Sequence, residues 1–571
     1  MNPHNPVRWA VIALACLLSA ETSAELVVYT AKLIRTMEPA LPVATAVAVE
    51  NGEIVAVGSE ASLQPLITAR GGRVDRQFEG RIVLPGFIDP HVHPALPAVL
   101  TQFPFLAPDD WTLPTGVFPG ETTPEGYRQR LMTLAKAHAD PTVPFIAWGY
   151  HPLWHGEVWR TDLNEWFGEQ PVMIWHRSFH ELVGNDAAWR LLGVTEADAQ
   201  IKEGADWARG HFYENGLKAV IPKLGFLFSP ERFGRGMFNF LAMLHQAGVT
   251  TALDMGTGIY GNPVGEIAGV RAAANAYPVP VRIILTPIIL DFLTRGRSPE
   301  AALSEIRDWQ ANNDDRVAIG NHFKLMIDGA IFSGLAQMGA PGYLDGHEGV
   351  WMVPEETLRA YGETFWRAGF QLHAHANGDA AVDRFLRLIA GLQRDFPRPD
   401  HRATIEHLAY STEQQSAQLA KLGAQASVNP YYHYILSEAY SGDWLGPDRA
   451  AQMTRLGSLE RNGVPLTLHS DAPMAPLSPL TLVWAASERE TISGAKGLAT
   501  ERLSRASALE AVTSGAARVI GRENEIGSIR AGKRADFVVL DADPMTVPGS
   551  ELRDIKVLAT VFAGAAYPTP P

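Results

Sequence analysis

Cysteine is all but missing from this 571-residue chain: Cys16 is the only one. No internal disulfide can form, and no thiolate cluster can hold a metal, which leaves His, Asp, Glu or a modified Lys for that task. A basic block is missing too. The chain has 48 Lys and Arg against 62 Asp and Glu, a formal net charge of -14, and no stretch is suited to neutralising a run of phosphates, which argues against a nucleic-acid partner. Long apolar runs are equally scarce. Trp9 to Leu18 is too short for a comfortable membrane span. With Arg8 before it and Thr22-Ser23-Ala24 after it, it gives residues 1–24 the layout of a secretory signal peptide cleaved ahead of Glu25. A lipoprotein signal at Cys16 is the lesser alternative, because Ala13-Leu14-Ala15 suits it poorly. The expectation is a periplasmic or secreted protein whose mature form has no cysteine.

What is present is an ordinary globular composition, 46% hydrophobic and 19% charged, in a chain longer than one core usually supports. Short apolar runs with turn signals fill residues 26–85, including Ala46 to Val49 and Ile54 to Val57 around Asn51-Gly52, a strong hairpin signal. The same texture returns at Ala535 to Leu540 and Val557 to Val561. These ends are expected to pair into a small β-sandwich domain from residues 25–85 and 516–571, with residues 86–515 inserted between them. There, eight short buried runs alternate with helical stretches: Gly86 to His93, Val249 to Met255, Val281 to Pro287, Phe323 to Asp328, Phe370 to His375, Ala403 to His407, Gln425 to Asn429 and Pro465 to Asp471. That count and alternation predict an α/β chain with a (β/α)8 TIM-like barrel. Residues 94–248 read as a long insertion after the first strand, at the end of the barrel where active sites sit.

The first run ends in LPGFIDPHVHP, Leu84 to Pro94. On a strand, His91 and His93 share a face and can chelate one cation, with Pro90 and Pro94 limiting relaxation of the backbone. A pair of partly buried turn histidines would look the same. Later strand ends carry Lys324 in FKLMIDGA, His373 and His375 in QLHAHANGD, Glu406-His407 in TIEHL and Asp471 in LHSDAP. Any one of these is compatible with a satisfied core residue. Five strands carrying such groups at one end point to a metal centre.

Those segments, with the closing GSIRAGKRADFVVLDADP, resemble the amidohydrolase superfamily, specifically its amidohydrolase-3 group, in the family's order and across residues 26–565. The resemblance implies two divalent metals, taken as Zn2+, held by His91, His93, a bridging carboxylated Lys324, His375, His407 and Asp471. A lysine ammonium has no lone pair, whereas its carbamate has two oxygens able to bridge cations. A water between two metals deprotonates near neutral pH, and Asp471 can take its proton as general base and return it to a leaving nitrogen. His373 and His375 share a face, and HANGD favours His375; His469 is expected one layer deeper, in packing or support. The bland alternative for Lys324 is an ion pair with Asp328.

In the insertion, HRSFHELVGNDAAW resembles a family segment that makes His180 and Asn185 candidate substrate-binding residues, with His180 a catalytic donor to the carbonyl or oxyanion. Asn185 serves equally well as the cap of a helix beginning at Asp186. The cluster WGYHPLWHGEVW suits either an apolar pocket or lid packing. The reading is therefore an exported hydrolase of non-peptide carbon–nitrogen bonds in amides, formamides or cyclic amides, acting through a metal-activated hydroxide. The alternatives are a superfamily deaminase and an inactive regulatory or binding protein. The expected partners are a small-molecule substrate and at most further copies of the chain, with no nucleic acid and no membrane beyond the export signal.

Overall fold

The computed structural model describes residues 25–200, 204–442 and 444–570; the expected export signal at residues 1–24, with Cys16, lies outside the described residues. All eight expected strands are present: β1 (Phe87–Val92), β2 (Val249–Thr257), β3 (Arg282–Pro287), β4 (His322–Met326), β5 (Gln371–Ala376), β6 (Thr404–His407), β7 (Gln425–Val428) and β8 (Leu466–Leu468). Most are buried along their whole length, as strands covered on both faces must be, and they therefore read as continuous apolar runs. All pairings among them are parallel. A short segment, Val317–Ile319, pairs with β3 and leads into β4.

The ladders form two parallel sheets, one holding β1 to β3 and the other β4 to β8. Their edges meet at two single bridges, Ile288 to Lys324 and Val92 to Ala472. The strands thus follow one another in chain order in a barrel-like arrangement, seamed at both places where the sheets meet. At the second seam Asp471 N donates to His91 O at 2.9 Å. The buried Asp89 accepts from the Ser470 hydroxyl at 2.5 Å and from the His91 amide at 3.3 Å. Amphipathic helices cover the outside. Asp379–Asp395 buries Val382, Phe385, Leu386, Ile389 and Leu392 on one face, the spacing of a helical apolar stripe. Phe365, on the helix Glu355–Arg367, stacks on Phe323 of β4 with ring centroids 3.6 Å apart. Burying such a ring contributes roughly 1.5–3 kcal/mol.

The two terminal segments pair as expected. They do so as one continuous seven-stranded sheet, joined where Phe537–Leu540 runs antiparallel to Ile82 to Pro85. One face packs Tyr29, Phe78, Val83 and Phe537. The other packs Val28 and Ala46 against Leu63 and Ile67 of the helix Glu60–Arg70. The strand Arg73–Pro85 passes through Gly86 into β1. A Cβ at Gly86 would lie 2.2 Å from the Thr250 hydroxyl, so only glycine fits where the sheet meets the barrel. Ala516, Ala517 and Ile520 pack on Ile88, Leu253 and Ile284, so barrel packing runs past the expected boundary at 515.

The insertion builds a five-stranded sheet of its own from Phe145–Tyr150, Val172–His176, Glu181–Gly184, Ala205–Asp206 and His211–Tyr213. It is anchored by Arg177, fully buried between the rings of Trp111, Trp148 and Phe332 and paired with Asp109 at 3.2 Å. Tyr431, just after β7, donates its hydroxyl to Asp109 at 2.8 Å. Removing one partner of such a buried pair costs about 3–5 kcal/mol. Trp148, from the tryptophan-rich cluster, is thus packing rather than pocket. Among the described residues no helix is long and apolar enough to cross a membrane.

Candidate metal centre

The C-terminal ends of the strands bring most of the predicted site together. His93 Nε2 lies 3.1 Å from Asp471 Oδ1, and His91 Nε2 lies 3.4 Å from the same oxygen. His407 Nδ1 is 3.5 Å from Asp471 Oδ2, and the Tyr432 hydroxyl lies 3.1 Å from that nitrogen and 3.4 Å from that oxygen. Lys324 Nζ is 3.4 Å from His91 Nε2. The His375 ring packs against His407 with centroids 4.4 Å apart. Both His407 and Asp471 have left-handed backbones, φ 74° and 55°. Such strain costs of order 1–3 kcal/mol per residue and gathers at functional sites.

Both ring nitrogens of His373 point to other side chains. Its Nδ1 lies 2.6 Å from Glu406 and its Nε2 3.0 Å from His322, so neither nitrogen is spare. His375 faces the cavity instead, with its Nε2 2.8 Å from the Asn377 side-chain amide. Lys324 does not pair with Asp328, whose carboxylate is taken up by the backbone amides of Asn377, Gly378 and Gln337. His469, expected in a supporting layer, meets Ser427 through Nδ1 at 2.7 Å, and its Nε2 is buried with no partner. Ligand atoms of His91, His407 and His469 lie within 4.8 Å of one another, as do those of His91, His93 and Asp471.

Asp254, Asp89 and Tyr432 escaped the sequence reading as parts of the site, and Glu406, noted at the end of its strand, was given no role there. Glu406 is fully buried and holds His91 Nδ1 at 2.7 Å. Asp254, within β2, lies 3.9 Å from His93 Nδ1. Asp89 braces the turn that carries Asp471. Each precedes or faces a motif histidine, and that adjacency is the only signal the sequence offers.

The electrostatics suit a cation. Burial, reinforced by the nearby Lys324, holds His91, His375 and His469 well below the usual imidazole pKa; burial and the neighbouring His375 do the same for His407. Neutral imidazole is the ligating form. Burial also lowers Lys324 to about 8, against the pull of Glu406, Asp471 and Asp254, which favours the uncharged amine that carbamate formation needs. Buried polar atoms are normally paired, so the orphaned His469 Nε2 amid neutral imidazoles and a carboxylate fits a bound divalent ion. Oxygen and nitrogen donors without thiolate are compatible with zinc.

Above these residues lies a cavity of about 420 Å³ reached by His93, Lys324, His375, His407 and Asp471 from the strands and by His180 from the insertion. His180 Nδ1 is 2.8 Å from Glu214 Oε2. Burial depresses this imidazole, but the carboxylates of Glu214, Asp471 and Glu181, with Glu214 contributing most, together outweigh it and the net shift is upward. Asn185 is not a cavity residue. Its side-chain oxygen accepts from the amides of Ala188 and Val172, and its amide donates to Gln170 O, so it is spent capping the helix Asp186–Leu192.

A model of the amidohydrolase family matches residues 78–566. The N-substituted formamide deformylase of Arthrobacter pascens is 25% identical over 547 residues, covering 93% of this chain and 96% of that protein. Protein LONG AFTER FAR-RED 3 of Arabidopsis thaliana is 26% identical over 555 residues, covering 93% and 89%. An uncharacterized metal-dependent hydrolase from Pyrococcus horikoshii OT3 superposes with a TM-score of 0.70 at 20% identity, covering 92% of this chain and 99% of that structure.

Proposed function

The chain belongs to the amidohydrolase family of metal-dependent hydrolases, and from that premise we propose that it cleaves a non-peptide carbon–nitrogen bond in an amide, formamide or cyclic amide. The observation that carries this reading is Asp471, a carboxylate in reach of His91, His93 and His407 at the cavity floor. His91, His93, His375, His407 and Asp471, with Lys324 as its carbamate and His469 beside them, would hold two divalent ions, for which zinc is the proposed identity. When bound, such ions supply Lewis acidity and lower the pKa of water.

Asp471 accepts the proton of the attacking water and returns it to the departing nitrogen. Its backbone bond to His91 O fixes where that carboxylate points. His180, held by Glu214, donates a hydrogen bond to the substrate carbonyl as negative charge grows on its oxygen. The apolar walls of the cavity exclude bulk water and strengthen both interactions. A deaminase of this superfamily typically has a glutamate shortly after the strand-5 histidine; here Asn377-Gly378-Asp379 follows His375, and the Asn377 side chain bonds back to that ring. With an export signal expected at residues 1–24, the proposed setting is the periplasm or the medium. Screening the metal-loaded protein against formamides, N-acyl amines and cyclic imides, with Asp471→Asn as control, tests the proposal. Release of amine by the wild type alone supports it; no turnover of any of the three classes refutes it.

A further inference from the structure

The cavity joins two unlike environments. Its floor consists of buried polar groups, while Leu96, Phe179, Ile221, Ile259, Tyr260 and Leu290 form an apolar wall around the remainder. Of the acidic groups that also reach it, Asp291 is engaged, and Glu214 is engaged through Oε2, its Oε1 being buried with no partner. Glu214 holds His180 at 2.8 Å, and Asp291 pairs with Arg295 at 2.5 Å.

Lys218 is different. It stands on the short insertion helix Leu217–Val220, lines this same cavity and is also exposed to solvent, so it marks the mouth where His407 and Asp471 mark the floor. Partial burial lowers its pKa, and among the described residues no neighbouring charge contributes to or offsets that effect. A cation that makes no ion pair among the described residues, at the rim of an apolar cavity in a chain of net charge -14, suits an anion brought by the ligand. Lysine serves such a group as a compact point charge with three rotatable donors.

We propose that Lys218 binds a carboxylate at the far end of the substrate, so that the preferred substrates are N-acyl or N-formyl amines whose apolar body carries a distal carboxylate. The amide then lies at the floor, the apolar body along the wall and the anion at the mouth. This rests on the hydrolase reading above and extends it to substrate class.

The test is a matched pair, N-formyl-6-aminohexanoate and its methyl ester, titrated calorimetrically into metal-loaded wild type, Lys218→Met and Lys218→Arg, with amine release followed in parallel. The wild type is expected to bind the carboxylate about tenfold more tightly than the ester, the scale of one charge-assisted contact. Lys218→Met should erase that preference, and Lys218→Arg should retain most of it. Equal binding of both compounds, binding of neither, or a preference that survives Lys218→Met overturns the inference. If the preference appears without amine release, the carboxylate site stands and the hydrolase reading falls; if both compounds are hydrolysed with equal efficiency, the reverse holds.

Discussion

Glu406 Oε2 lies 2.7 Å from His91 Nδ1, while Oε1 of the same carboxylate lies 2.6 Å from His373 Nδ1. One fully buried acid thus orients two imidazoles, leaving His91 Nε2 as the nitrogen that faces Lys324 and Asp471. A carboxylate in this position fixes the tautomer and raises the basicity of a ligating ring.

Replacing Glu406 with Gln should therefore weaken metal retention by about 10- to 100-fold, the usual loss when an orienting partner of a ligand histidine is removed. Competition with a chromophoric chelator measures it. Retention equal to wild type would mean that the ring is held by its packing alone.

Asp471→Asn should lower kcat by about 10²- to 10⁴-fold, the range expected when a general acid–base group is lost. The side chain is nearly isosteric, so the melting temperature of the metal-loaded variant should stay close to wild type. Substantial activity in this variant rules out Asp471 as the proton carrier.

Lys324→Ala removes the only lysine that reaches the cavity floor. Elemental analysis should find at least one metal equivalent fewer in the purified variant than in the wild type. Two retained equivalents exclude a bridging carbamate.

The pH dependence of kcat/KM should carry the signature of His180. Its pKa is raised because Glu214, with Asp471 and Glu181, outweighs burial, so the protonated donor persists below that raised value and is lost as pH climbs through it. Glu214→Gln removes the raising charge, and the basic limb of the profile should move to lower pH. A limb that stays in place assigns it to another group.

Asn185→Ala should leave the kinetic constants alone and lower stability by about 1–3 kcal/mol, because it strips a buried helix cap and orphans the amides it satisfies. Denaturant titration alongside substrate kinetics separates the two effects. A selective rise in KM would return Asn185 to the binding site.

The barrel was readable because parallel strands buried on both faces leave continuous apolar runs, and each motif histidine or acid sits at the end of one. The terminal pairing was readable for a similar reason, although nothing in the residues fixes the register that distinguishes one continuous sheet from a sandwich. The depth of His469 was not legible because a lone strand histidine carries no sign of it; its unpartnered Nε2 appears only once β7 and β8 lie side by side. Glu406 hid beside His407 because adjacent strand residues ordinarily face opposite ways. His407 escapes that rule through its left-handed φ. The insertion was the least legible part. Its strands are short, several of its helices span one or two turns, and its cavity face has no period of its own. Lys218 is one consequence, since nothing in GLKAV sets it apart from an ordinary solvated lysine.

The two seams of the barrel coincide with the candidate ligands. Val92, bridged to Ala472, sits between His91 and His93, and Ala472 follows Asp471; the other seam is bridged by Lys324 itself. In mechanical terms the cations would act as rivets, clamping the first strand to the last and reinforcing the joint between the half-barrels where backbone ladders are thinnest. Chelation should then do more than stop turnover. It should loosen the barrel at those two edges first, with amide exchange accelerating around Val92 and Ile288 before the strand interiors respond.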